Sequence, residues 1–180
     1  GANGAEGRNY LARRGIPEEV QKNYKLGYAP SPSKAGWEFL AAKLSAAESQ
    51  IAEKAGLLVK NDRGGRYDRF RDRVLFPIHD SRGKVCGFGG RIVGDGQPKY
   101  MNSPESAIYN KSSLLLGLYQ QSGKIRNRRQ AILVEGNFDM ISLIVHGISN
   151  VVAPLGTAIT AQQVRLLKRN AEEVVLLFDG

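Results

Sequence analysis

The feature that most constrains this chain is a change of hydrophobic period in its last fifty residues. Ala131-Ile132-Leu133-Val134 is a short apolar run. Phe138 to His146 then follows a helical spacing that Gly147 ends. Asn150-Val151-Val152-Ala153 is a second run, and Val174-Val175-Leu176-Leu177-Phe178 is a third. Between the last two, Thr160-Ala161-Gln162-Gln163 matches a capping box and opens a helix to about Asn170. Strand, helix, strand, helix, strand predicts a parallel sheet with helices packed on it.

The residues ahead of it have a different grammar. Residues 8–24 read as a helical hairpin or turn, with Pro17 opening a helix whose first turn holds Glu18 and Glu19. Ala29-Pro30-Ser31-Pro32-Ser33 predicts a loop. From Trp37 to Ala55 the positions Phe39, Leu40, Leu44, Ala47 and Ile51 predict one helix, ended by Gly56. Leu57-Leu58-Val59, Val74-Leu75-Phe76-Pro77-Ile78 and Val85-Cys86-Gly87-Phe88 are short apolar runs separated by turn residues. They predict a small antiparallel meander with Pro77 at an edge or a bulge. Residues 114–122 predict a short helix, and 123–130 a polar connector. The expected division is therefore an α+β subdomain over 1–128, then an α/β subdomain with a βαβαβ parallel sheet over 129–180.

Charge follows the same division. The 180 residues carry a net charge of +9. Residues 1–129 hold 23 basic and 12 acidic side chains, against 3 and 5 in 130–180. A basic part followed by a slightly acidic one suggests different tasks, the first being a candidate for polyanion binding. A solvated basic surface is the plainer alternative. Cys86 is the only cysteine, which excludes an internal disulfide and a cysteine-rich zinc site from this segment. Its expected role is that of a small buried residue. No apolar run approaches the roughly 18 residues needed to span a bilayer, and Gly1 to Gly15 has no hydrophobic signal region. No membrane is expected, and the default compartment is the reducing cytoplasm.

Ligands of an open parallel sheet bind beyond the carboxyl ends of its strands. Glu135 follows the first strand, Asp139 lies four residues on, and Asp179 follows the third. Hard oxygen ligands grouped in this way suit Mg²⁺ and metal-assisted phosphoryl transfer. Singly, each acid also fits a turn or a helix cap. Pro154-Leu155-Gly156-Thr157 at the same edge is either a phosphate-approaching loop or an ordinary connection. In Tyr67 to Arg73, the arginines Arg69, Arg71 and Arg73 alternate, which in an extended segment puts them on one face. Asp68 and Asp72 are the residues that would offset them. Further on, Arg91 follows two glycines, and Lys99 beside Tyr100 pairs a phosphate contact with an aromatic face, which suits single-stranded nucleic acid.

Three of these segments resemble the RNA polymerase core of bacterial DNA primases, in the family's order. They are Arg69 to Ile78, Gly87-Phe88-Gly89-Gly90-Arg91, and Pro98-Lys99-Tyr100-Met101-Asn102-Ser103-Pro104-Glu105. Val134-Glu135-Gly136-Asn137-Phe138-Asp139-Met140 is similar to the first acidic motif of the family's Toprim fold. Ala153 to Thr157 and Leu177-Phe178-Asp179-Gly180 resemble its next landmarks. The resemblance implies a DNA-directed RNA polymerase that makes short RNA primers by Mg-dependent nucleotidyl transfer. It implies Glu135 and Asp179 as catalytic residues, and Glu135, Asp139 and Asp179 as ligands of Mg²⁺ or Mn²⁺. It implies Arg69, Arg71, Arg91, Lys99, Tyr100, Asn102 and Arg14 as template or nucleotide contacts.

The implied partners are a single-stranded DNA template, ribonucleoside triphosphates, the RNA primer and, through an absent C-terminal domain, the replicative helicase. The implied place is the cytoplasmic replisome, associated with the nucleoid. Zinc is expected only in a domain that this chain lacks. Two features depart from the family pattern. Asn137 stands where an aromatic is usual, and the chain stops at Gly180, before the second Asp of an Asp-x-Asp motif. The fragment is therefore expected to have little or no activity. The rival readings are another Toprim enzyme, a topoisomerase or nuclease, and a non-catalytic nucleic-acid-binding module.

Overall fold

A computed structural model of the chain describes residues 4–156 and 158–178. By contact, they form two compact units. One comprises 4–77 and 87–109, the other 78–86 and 110–178.

The first unit opens with helices α1 (Ala5–Arg13) and α2 (Glu18–Asn23). Pro17 sits at the N-cap of α2, and Glu18 and Glu19 occupy its first turn, where the helix dipole favours them. The 29–33 segment is more ordered than a loop. Ala29 ends strand β1 (Gly27–Ala29), and Pro32 opens a single helical turn, α3 (Pro32–Ala35).

The helix expected from Trp37 to Ala55 does not form as one piece. Residues 37–40 are turns and Ala41–Lys43 is a 3-10 turn. The α-helix α4 runs only over Ala46–Lys54. Two local forces make the break. The buried Asp68 carboxylate accepts the N–H of Leu40 at 2.7 Å and of Ala41 at 3.0 Å, which holds that backbone outside a helix. Ser45 then starts α4 with a complete capping box, its hydroxyl accepting the Glu48 N–H while the Glu48 carboxylate accepts the Ser45 N–H. Ile51, expected on the apolar face, is exposed; α4 buries Ser49 and Ala52 instead. Gly56 ends α4 with φ +71°, a conformation that suits glycine.

The three apolar runs form antiparallel strands as expected, but in two separate sheets and not one meander. β2 (Leu58–Lys60) pairs antiparallel with β3 (Arg66–Asp68). A four-stranded sheet has the order β1-β4-β5-β6, with β4 Arg73–His79, β5 Val85–Ile92 and β6 Tyr100–Asn102. β1 pairs only with Arg73 to Leu75, so Pro77 lies beyond its reach, where a missing N–H is tolerated. Cys86 is buried, and its thiol donates to the Ile78 carbonyl.

In the second unit, the 123–130 stretch is not a connector. Leu118–Arg128 is a continuous helix, α5, preceded by the short strand β7 (Leu115–Leu116). Gln121 and Ile125, four apart, are the buried residues of α5, and Lys124, Arg126, Asn127 and Arg128 are exposed. The alternating elements follow: β8 (Gln130–Val134), α6 (Asn137–Val145), β9 (Val151–Pro154), α7 (Ala161–Asn170) and β10 (Glu173–Leu177). β8 pairs in parallel with both β9 and β10, and β7 adds antiparallel to β9, giving the order β10-β8-β9-β7. Thr160 and Gln163 form the expected capping box of α7. A core of Leu115, Ile125, Ala131, Leu133, Val152, Leu167 and Ala171 lies between sheet and helices. Each large apolar side chain in it contributes about 1.5–3 kcal/mol. Val174 to Phe178, an apolar run of the kind found in covered strands, is 37–61% exposed.

Asp68 gives this fold a direct test. Asp68→Ala leaves the Leu40 and Ala41 N–H groups without their acceptor. It should cost about 2 kcal/mol in urea unfolding, with little change in the slope.

Candidate functional site

Each unit carries its own set of functional side chains. In the second, register fixes the carboxylate end. β8 and β10 pair with Leu177 opposite Val134, so both strands finish at one level. Glu135 follows directly on β8. Asp139 lies in the first turn of α6, where the helix dipole favours a negative charge. Both acids line an open cavity of about 240 Å³ with Val134, Ser142, Leu143, Leu177 and Phe178.

The cap reading of Asp139 fails. Gly136 is the N-cap of α6, and no side chain bonds there. Gly136 also leaves Asp139 its room: a Cβ on it would stand 2.7 Å from Asp139 Oδ2, so the carboxylate would have to move. Among the described residues, neither Glu135 nor Asp139 has a hydrogen-bonding or ion-pair partner.

Two exposed, uncommitted carboxylates fit a hard cation such as Mg²⁺, which binds through one or two carboxylates and keeps several waters. Among the described residues no three His, Cys, Asp or Glu side chains group as a metal cluster. Asp179, the third expected ligand, and Thr157 of the neighbouring loop lie outside the described residues.

In the first unit, the arginines do not share one face. Residues 69–72 are not a strand, and Asp72 takes φ +50°. That left-handed step breaks the alternation. Arg71 stacks over the exposed Trp37 ring at 4.3 Å and over Tyr67 at 5.2 Å, and donates to the Asp68 carbonyl. Arg73 turns inward and is 3% exposed. Arg69 is half-buried, with its Nε inaccessible and without a hydrogen-bond acceptor.

The carboxylates that were to offset them are occupied elsewhere. Asp68 holds backbone N–H groups, and Asp72 accepts the Tyr28 hydroxyl at 2.8 Å. Tyr28 is shared with Glu6, and burial, then these two acids, push its hydroxyl far above its usual pKa. Among the described residues, Arg69, Arg71, Arg73, Arg91 and Lys99 are in no ion pair. Burial lowers the pKa of Arg73, and Arg71 and Arg91 lower it further, against an opposing pull from Asp72.

The β5–β6 pair brings the remaining candidates together. Arg91 stands opposite Tyr100, and Gly89 opposite Asn102. The Arg91 guanidinium lies 5.0 Å from the centre of the Tyr100 ring, which is 51% exposed, and Arg91 Nη1 donates to the Lys99 carbonyl at 3.4 Å. Lys99 is exposed. Arg14 is at the end of α1, 5.3 Å over the Tyr10 ring. Two residues were missed as site candidates. Arg73 looked like one of three equivalent arginines, and only its burial separates it. Trp37 had no signal beyond being the only tryptophan, and it was absorbed into a helix that does not form.

Together these units define a class, and the chain belongs to it: the DNA primase catalytic core. The family model of the N-terminal domain of that core matches residues 1–122, and a Toprim domain model matches 129–180. Among similar proteins, the DNA primase of Halalkalibacterium halodurans is 44% identical over 180 residues, which is 98% of this chain and 29% of that protein. The solved DnaG primase catalytic domain bound to ssDNA is 41% identical with a TM-score of 0.88, covering 97% of this chain and 54% of that one. The Aquifex aeolicus primase, solved as its zinc-binding and RNA polymerase domains, is 40% identical with a TM-score of 0.84, covering 97% and 43%. The chain thus spans about three tenths of the length of the curated relatives it matches.

Gly136 tests the acidic site. Gly136→Ala should displace the Asp139 carboxylate and shift its carboxyl ¹³C resonance, at about 1 kcal/mol of stability. Gly156→Ala, where an added Cβ meets nothing within 4 Å, should leave that resonance in place.

Proposed function

We propose that this chain is the template-holding and part of the metal-holding half of a primase that extends RNA on single-stranded DNA. The observation that supports the reading is a set of arginines and Lys99 in no ion pair among the described residues, with Arg91 and Lys99 beside the exposed Tyr100 ring. Like charges gathered without counter-charges repel one another, and a phosphate backbone relieves that repulsion. An exposed aromatic ring beside them takes a base by stacking. Lys99 and Arg91 would each meet a template phosphate, Tyr100 and Asn102 would meet bases or sugars, and Arg69 and Arg71 would extend the basic track. Arg14 is assigned to nucleotide or template phosphate by its charge and by the family's pattern.

In the whole enzyme, the primer 3′ oxygen attacks the α-phosphorus of a ribonucleoside triphosphate. A P–O bond forms, the α–β phosphoanhydride bond breaks, and pyrophosphate leaves. Glu135, Asp139 and Asp179 would hold the catalytic cation. When bound, Mg²⁺ or Mn²⁺ acidifies the attacking hydroxyl and neutralises the leaving pyrophosphate. Glu135 and Asp139 line one open cavity, which leaves room for water and phosphate oxygens. The proposed partners are the template, the triphosphates, the primer and, through segments beyond this chain, a replicative helicase at the cytoplasmic replisome. No described helix is long and apolar enough to cross a membrane.

A salt series tests the basic half. Binding of the chain to labelled oligothymidylate should fall with a log–log slope of about −2 to −4, and Lys99→Ala should reduce the slope by about 0.7. A slope near zero would refute phosphate binding. Primer synthesis by the full-length protein tests the acidic half: Glu135→Gln should lower the rate by a factor of about 100 or more, with template affinity unchanged.

A further inference from the structure

Arg73 is the most buried arginine of the molecule, and nothing in the site so far uses it. Its guanidinium is directed not at a carboxylate but at two backbone carbonyls. Nη2 donates to Pro98 O at 2.7 Å and Nη1 to Lys99 O at 3.4 Å. A buried cation without an acid partner is costly unless it makes strong, well-placed hydrogen bonds. Among the described residues its acceptors are the Pro98 and Lys99 carbonyls, both in one short exposed segment, Gln97 to Tyr100.

That segment has few other tethers. Among the described residues, the Pro98 carbonyl accepts from Arg73 alone. The Lys99 carbonyl also accepts the Ile92 N–H at 3.1 Å and Arg91 Nη1 at 3.4 Å. Arg91 and Lys99 therefore meet at one oxygen that Arg73 reaches from the interior, and the Arg91 guanidinium in turn lies over the Tyr100 ring. The route for its side chain is kept open by sequence. A Cβ on Gly90 would stand 3.1 Å from Arg73 Cδ and 3.0 Å from the Phe70 ring. The second glycine before Arg91 thus makes room for Arg73.

We propose that Arg73 is a positioning residue for template binding: it holds the backbone of Pro98 and Lys99 so that Lys99, Tyr100 and Arg91 present their side chains together. This rests on the reading of Lys99 and Tyr100 as template contacts. Arg73 does not itself touch the nucleic acid, because it is 3% exposed and both its Nη atoms are engaged with carbonyls. Lysine does not replace it. One ammonium on a flexible stem cannot reproduce a planar fork that spans two carbonyls.

The test uses the 180-residue chain, a fluorescein-labelled oligothymidylate and hydrogen exchange of the peptide covering 97–102. Arg73→Met should speed exchange in that peptide and weaken binding about tenfold, as should the double variant Lys99→Ala/Tyr100→Ala for binding. Adding Arg73→Met to that double variant should weaken binding by less than about a further twofold, since the two act through one segment. Arg73→Lys should fold, speed the same exchange and weaken binding about threefold. It decides the matter alone if circular dichroism shows Arg73→Met unfolded. Fully multiplicative losses, unchanged exchange at 97–102, or an Arg73→Lys variant equal to the parent in both readouts would overturn the role of Arg73 and leave the template site standing. Unchanged affinity in Lys99→Ala/Tyr100→Ala would instead sink the template reading, and the role of Arg73 with it.

Discussion

The arrangement of the basic unit follows from where two aspartates bind. Asp68 and Asp72 are interleaved with Arg69, Arg71 and Arg73, and side by side in sequence they look like local counter-ions. The fold uses them otherwise. Asp68 terminates two backbone N–H groups at Leu40 and Ala41, and Asp72 accepts from Tyr28. Arginine charge is left with backbone carbonyls and aromatic rings as its partners. Such partners satisfy hydrogen-bond geometry but do not cancel charge. Asp72 still acts on Arg73, opposing the fall of its pKa; the positive potential comes from the surplus of 23 basic over 12 acidic side chains in residues 1–129, a balance that suits a polyanion.

The same commitment explains where the sequence was readable and where it was not. The βαβαβ part was legible almost to the residue, because strand and helix periods alternate there and the Thr160 cap is local chemistry. The Trp37–Ala55 helix misled because Phe39, Leu40, Leu44 and Ile51 do recur at helical spacing. What breaks that helix is Asp68, nearly thirty residues later, and no window of 18 residues contains both partners. The second half of α5 was missed for the opposite reason: the short helix expected over 114–122 runs over Leu118–Arg128. Gly123 and a run of polar residues look like a connector, yet Ile125 and Gln121 suffice to seat one face. Packing outweighs propensity in such a segment.

The acidic site was legible as a set of positions and not as a set of reasons. Glu135 and Asp139 were placed at a strand end by topology alone, and they line one cavity. The physical reason that they remain available is the glycine between them. Gly136 caps α6 without a side chain and leaves Asp139 its space, so neither acid is drawn into capping. A serine or aspartate there would have been the better cap for an isolated helix. With Gly136 there, α6 starts without a side-chain cap.

The glycines ahead of Arg91 make the complementary case. In sequence, the two glycines before Arg91 suggest a place where backbone can approach a ligand. In the fold the stretch from Gly87 to Arg91 is part of a central strand whose glycines fit neighbouring side chains. The Tyr109 ring stands 2.6 Å from where a Cβ on Gly87 would be, and Phe70 and Arg73 crowd the corresponding point at Gly90. The motif is a packing device first, yet the packing it permits carries the Arg73 guanidinium to the Pro98 and Lys99 carbonyls. A ligand reading and a core reading of the same glycines therefore do not compete. The interior arginine sets the surface lysine, and the glycines are what let it pass.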